Sequence, residues 1–102
     1  MKINGKEINF TYTIRVFCDY SDYCAANPKV SVARANVYKA LFMNRAYARA
    51  HEGAETITVD EIMDLPFSEH EELLAAMQQA EEEGNRRSVE TVEKKREEKD
   101  QK

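Results

Sequence analysis

Residues 31–53 read SVARANVYKALFMNRAYARAHEG, and the periodicity of this stretch decides the fold. At about 100° per residue, Ala33, Val37, Ala40, Leu41 and Ala48 make one apolar stripe. Val32, Ala35, Phe42, Met43, Ala46 and Ala50 make a second on nearly the opposite side. Ser31 is placed to cap the start and Gly53 to end the element, so the spacing predicts one long helix from about Val32 to Glu52. A helix apolar on two sides is central in its domain or gives one side to an interface. Between the stripes Arg34, Tyr38, Arg45 and Arg49 recur at helical spacing. That band reads either as a solvated face paired with the chain's own carboxylates or as a docking strip for an acidic or phosphorylated partner.

Working back toward the N-terminus, Asn27-Pro28 separates the long helix from a shorter one expected over about Thr13 to Ala26. There Ile14, Phe17, Cys18, Ser21, Cys24 and Ala25 fall within one apolar stripe, with Arg15, Asp19 and Asp22 away from it. The cysteines of CDYSDYC, residues 18–24, are six positions apart and flank the stripe roughly 120° from one another, so one metal ion cannot take both without breaking the helix. They read as packed free thiols. The first residues, MKINGKEINFTY, place Asn4-Gly5 where a two-residue turn needs positive φ, which predicts a hairpin over about residues 1–12. Its second arm alternates Ile8, Phe10 and Tyr12 against Glu7, Asn9 and Thr11.

Toward the C-terminus, Thr58-Val-Asp-Glu61 is a capping box that starts a short helix through Leu65, before the break at Pro66. Ser68-Glu-His-Glu71 is a second, opening a helix to about Glu83 with Gly84 as its stop and Leu73, Ala76, Met77 and Ala80 as its core stripe. Residues 85–102 carry seven basic and five acidic side chains and only Val89 and Val92 as apolar ones. They read as a charged tail, disordered or a frayed solvent helix. The fold class is thus mainly α with a short N-terminal β-hairpin, one domain over residues 1–84 followed by that tail.

With 15 basic and 19 acidic residues the chain carries −4, which argues against general attraction to nucleic acid or an anionic membrane. No apolar run approaches a membrane span or the core of a signal peptide, so a cytoplasmic protein is expected. All three glycines have turn or helix-end tasks, which leaves none for a phosphate-cradling loop. Cys24 with His51 is the minimum for a thiol nucleophile, and Glu61 with Asp64 or Glu69 with Glu72 the minimum for paired carboxylates. The acids sit at helix starts, where they serve the dipole, and His51 and His70 have no motif partner. No enzyme, cofactor or metal site is expected.

The order of a hairpin written MKINGKE, a helix of aromatic and apolar residues, a long Ala-rich helix, a D-E-I-x-D-L element and a charged tail resembles the tail assembly chaperones of long-tailed bacteriophages and prophages. The resemblance covers residues 1 to 84 in layout and about a dozen in wording. It implies a non-enzymatic protein that binds the long, hydrophobic tape-measure protein, keeps it soluble, gives way to tail-tube subunits, and self-associates. The resemblance transfers no binding residues. The apolar side chains Phe42, Met43, Leu73 and Met77 are the candidate client surface; the alternative is a small adaptor or regulatory dimer acting through Arg34, Arg45 and Arg49 or through the tail.

Overall fold

The computed structural model describes residues 1–100, with side chains described through residue 86. The chain is mainly helical with a two-stranded antiparallel hairpin at its start. Strands β1 (Lys2–Ile3) and β2 (Lys6–Glu7) pair Lys2 with Glu7 and Ile3 with Lys6. The two-residue turn has φ of 52° at Asn4 and 75° at Gly5, the mirror-image turn geometry that the Asn-Gly dipeptide favours. The ladder is shorter than the alternation predicts. Ile8, fully buried, still pairs with Met1, donating its amide to the Met1 carbonyl at 2.8 Å and accepting from the N-terminal ammonium at 3.0 Å; beyond it the chain leaves the hairpin to lie on the long helix, with Asn9 to Tyr12 half-buried.

Helix α1 (Ile14–Ala26) is capped by the Thr13 hydroxyl, which accepts from the Val16 amide, and the central helix α2 (Val32–Ala50) by Ser31, which accepts from Arg34. The capping box at Thr58 starts α3 (Val59–Met63) as expected, with both reciprocal bonds formed. The one expected at Ser68 does not form. Pro66 opens a single 3-10 turn, Phe67–Glu69, and α4 (His70–Asp100) follows directly from it. Ile3, Ile8, Val16, Ala40, Leu41, Met43, Ile57, Ile62, Leu73 and Met77 form one core around α2.

Two further expectations are corrected. Helix α1 turns the opposite way about its axis: Val16 is its one buried residue, whereas Ile14 and Phe17 are 84% and 59% exposed and Cys18 is exposed. The cause is aromatic. Tyr23 stacks on Tyr38 with centroids 4.1 Å apart and meets Phe42 edge-on, and Lys39 lies 5.3 Å from the Tyr20 ring. A face of Val16, Tyr20 and Tyr23 buries more area, with favourable ring geometry, than the smaller Cys-Ser-Cys-Ala stripe does.

The second correction concerns Gly84, which does not end α4. It lacks the positive φ of a left-handed helix stop, and a Cβ built there would lie 2.7 Å from the Tyr12 carbonyl oxygen. Gly84 lets α4 pass against the N-terminal segment, on the same face as Leu73, Met77 and Ala80. The charged-tail expectation for residues 85–102 falls, from residue 87 onward, outside the described side chains.

Candidate functional site

A buried amide joins the segments that flank α2. Asn44, fully buried, donates from Nδ2 to the Asn9 carbonyl at 3.0 Å and accepts at Oδ1 from the Ile57 amide at 2.9 Å. The partners fix the orientation of the amide, since a carbonyl only accepts and an N–H only donates. Thr11 adds a backbone bond to the Met43 carbonyl at 3.1 Å. Two extended segments with no sheet of their own are thereby satisfied by the central helix.

Glu61 ties the hairpin to α3. Its carboxylate accepts from Lys6 Nζ at 2.8 Å and from Asn4 Nδ2 at 3.0 Å, besides closing the capping box. The Lys6 bond first, and then the Asn4 bond, hold its carboxyl down to about 2. On the far side, Lys39 pairs with Glu81 of α4 and lies 5.7 Å from the Tyr12 ring. The first set of contacts ties α3 to the hairpin and the second ties α4 to α2, and a gap lies between α2, α3 and α4.

That gap is an apolar cleft of about 220 Å3. Leu73 and Met77 of α4 make its floor with Ile62, and all three are buried. Val37 of α2 and Leu65 make its walls. Pro66 throws Phe67 outward at the mouth, where it is 87% exposed and covered only on one face by His70, whose ring lies parallel at 5.4 Å. Met63 and Leu74 complete the mouth at 45% and 38% exposed. A large exposed Phe beside an apolar cleft is unlike the scattered single hydrophobes of an ordinary surface.

A larger cleft of about 380 Å3 lies at the other end of the molecule, between Phe10, Tyr12, Tyr47, His51 and Gly84. Its lining is a mixture of backbone, tyrosines and the Tyr47–His51 stack at 3.9 Å. That stack and the contact of His51 Nδ1 with the Tyr47 carbonyl at 3.0 Å account for the histidine as a helix-end residue.

The sequence candidates are distributed unevenly. Met43, Leu73 and Met77 are core residues at 0%, 7% and 5% exposure, and Phe42 is half-buried under Tyr23, so the four do not form an open client surface. Leu73 and Met77 reach a partner only as the floor of the cleft. Size and flexibility make them candidates, but those same properties suit a core that α2 must fill on two sides. Arg34, Arg45 and Arg49 are exposed, and none is in an ion pair among the described residues. Cys24 lies on α1 near the Tyr23–Tyr38 stack, while His51 is 13 residues further along α2 than Tyr38, roughly 20 Å at helical rise, so the two do not form a thiol–imidazole pair.

Among the described residues no group of three or more His, Cys, Asp or Glu is placed to hold a metal ion, and no helix is long and apolar enough to cross a membrane. Comparison with protein-family models, with curated proteins and with solved structures finds no match for the chain.

Asn44 and the mouth residues Met63, Phe67 and Leu74 are not apparent as candidates in the sequence. Asn44 does carry a signal: it sits in the middle of the Ala33–Ala48 stripe, and a polar residue there demands a buried partner. Phe67 carries one too, as an aromatic held between a helix-breaking Pro66 and the polar run that follows.

Proposed function

We propose that this protein is a tail assembly chaperone of the long-tailed phage and prophage type, a non-enzymatic binder that keeps a long, hydrophobic, helical tape-measure protein soluble in the host cytoplasm until tail-tube subunits replace it. One observation supports the reading above the others: a protein of net charge −4 leaves Phe67, Ile14, Val32 and Phe17 at 87%, 84%, 78% and 59% exposure. Large apolar side chains kept in water cost solubility and suit a surface that covers another chain's apolar stripe or a second copy of itself. The experiment is tagged co-expression with the long, helix-rich reading frame encoded beside it, followed by co-purification. Recovery of that partner in soluble form only when this chain is present supports the proposal; equal solubility of the partner alone removes it.

A second reading is favoured by Arg34, Arg45 and Arg49, which line one exposed edge of α2 without an ion pair among the described residues. An adaptor using that edge binds acidic segments, and its binding weakens steeply with salt, whereas apolar capture does not.

A further inference from the structure

We infer that the cleft between α2, α3 and α4 is a docking groove for one amphipathic helix whose apolar stripe is flanked by Lys or Arg. The inference rests on the client-binding reading above and gives that client its chemistry. The groove has a buried apolar floor in Ile62, Leu73 and Met77 and a raised, exposed mouth in Met63, Phe67 and Leu74. An extended peptide pressed on such a floor leaves its own N–H and C=O groups without partners, whereas a helix satisfies them internally and presents side chains at i, i+3, i+4 and i+7.

No carboxylate lines the cleft itself; the charge preference comes from the chain neighbours of its mouth residues. On α3, Asp60 lies one turn before Met63, and Asp64 follows it directly; on α4, Glu71 lies one turn before Leu74. All three are exposed, and none is in an ion pair among the described residues. Asp60 and Glu71 occupy first helical turns, where the dipole alone rewards a carboxylate. Asp64 does not: it is the C-cap of α3, the end at which a negative charge is disfavoured, so the fold gives no reason for it. On the α2 side the chain neighbour of the lining residue Ala33 is the basic Arg34, one cation against three carboxylates, so the basic flank is expected on the α3 and α4 sides. A second copy of the chain is a poorer fit, because its exposed α1 stripe is flanked by Arg15 and Asp22 together, not by basic residues alone.

The test uses the full chain and two labelled peptides of about 18 residues, some 27 Å as a helix, that share a Leu stripe and differ in Lys or Glu flanks. Fluorescence anisotropy at low salt should show the Lys-flanked peptide binding at least tenfold tighter, with the difference shrinking at high salt. Phe67→Ser should weaken it at least fivefold and the pair Asp64→Lys with Glu71→Lys should reverse the preference, while Ile14→Ser with Phe17→Ser leaves it unchanged. Circular dichroism confirms that each variant is folded. Equal affinity for the two peptides, a loss confined to the α1 variant, or self-association that blocks both peptides overturns the inference. If Phe67→Ser protein still rescues the client in co-expression, the groove is wrong and the chaperone reading stands. If the Lys-flanked peptide binds tightly but no client is rescued, the groove stands and the phage reading falls.

Discussion

Replacing Asn44 tests how this fold holds its non-helical chain. In Asn44→Ala the Ile57 amide, buried beside α2, loses its acceptor and the Asn9 carbonyl loses its donor. An orphaned buried donor costs about 1–3 kcal/mol, and the partly buried carbonyl belongs at the low end of that range. Alanine's better helix propensity returns about 0.5 kcal/mol, leaving a net loss of about 1.5–3.5 kcal/mol. A chain of this length is worth about 5–15 kcal/mol in total, so the loss is a substantial fraction. With a urea slope of about 1.5 kcal/mol per molar, the midpoint should fall by about 1–2.3 M at unchanged slope.

Asn44→Asp separates the hydrogen bonds from the shape. A carboxylate still accepts from Ile57 but sets a lone pair against the Asn9 carbonyl, at the site where 3.0 Å now holds a donor. At pH 7 this variant should be less stable than Asn44→Ala, because a buried charge without a partner is added. Protonation restores a donor, so the folded-state pKa of the new Asp lies above its unfolded value of about 3.9. Its stability relative to Asn44→Ala therefore rises as pH falls through that raised pKa and levels off below about 3.9. Losses under about 0.5 kcal/mol in both variants, with no pH dependence in their difference, would refute the clamp.

The other predictions follow from single contacts. Gly84→Ala, normally worth up to about 1 kcal/mol of added stability inside a helix, should instead be neutral or destabilising, because its Cβ meets the Tyr12 carbonyl at 2.7 Å; a raised melting temperature would show that α4 does not pass there. Glu61 contributes stability in full above about pH 4.5 and loses it as pH falls toward 2, so Glu61→Gln should flatten the acid limb of a stability–pH curve and leave the alkaline limb alone. Met77→Ala should cost about 2–5 kcal/mol, while Phe67→Ala should stay within about 0.5 kcal/mol in thermal unfolding; similar costs for both would place Phe67 in the core. Cys18 should react with a maleimide faster than the half-buried Cys24, as mapped by peptide mass, and the reverse order would restore the inward stripe on α1.

The elements that local chemistry determines are legible in the residues themselves. Asn4-Gly5, Ser31 and the Thr58–Glu61 box each have one low-energy use, and each is used that way. Rotation of α1 is not legible, because its two candidate faces are both amphipathic and the choice depends on Tyr38 and Phe42, which arrive from another helix. Gly84 is ambiguous for a similar reason: a glycine after a helical run means either a stop or a close approach, and only the path of Tyr12 decides. The cleft is half legible. Leu73 and Met77 stand out by size and spacing, but a sequence does not say whether such a residue is a floor or a mouth.

The α1 outcome also bears on function. Had the Ile14–Phe17–Cys18 stripe turned inward, the tyrosines would face water at little cost, since each has a hydroxyl to hydrate. The chain instead half-buries Tyr20 and Tyr23 against α2 and leaves Ile14 and Phe17 in solvent, at opposite compositional sense from a monomer that only needs to fold. Aromatic stacking makes that arrangement stable within one chain, so the exposed stripe is available without weakening the core. Two apolar surfaces, one a stripe with mixed flanks and one a cleft whose mouth residues have Asp60, Asp64 and Glu71 as chain neighbours, then differ in the charges around them. On the proposed reading charge would select between partners, because apolar area alone does not discriminate. On the proposed reading, a basic helix at the cleft and a second neighbour at the α1 stripe would bind without competing, because the two surfaces lie on different elements.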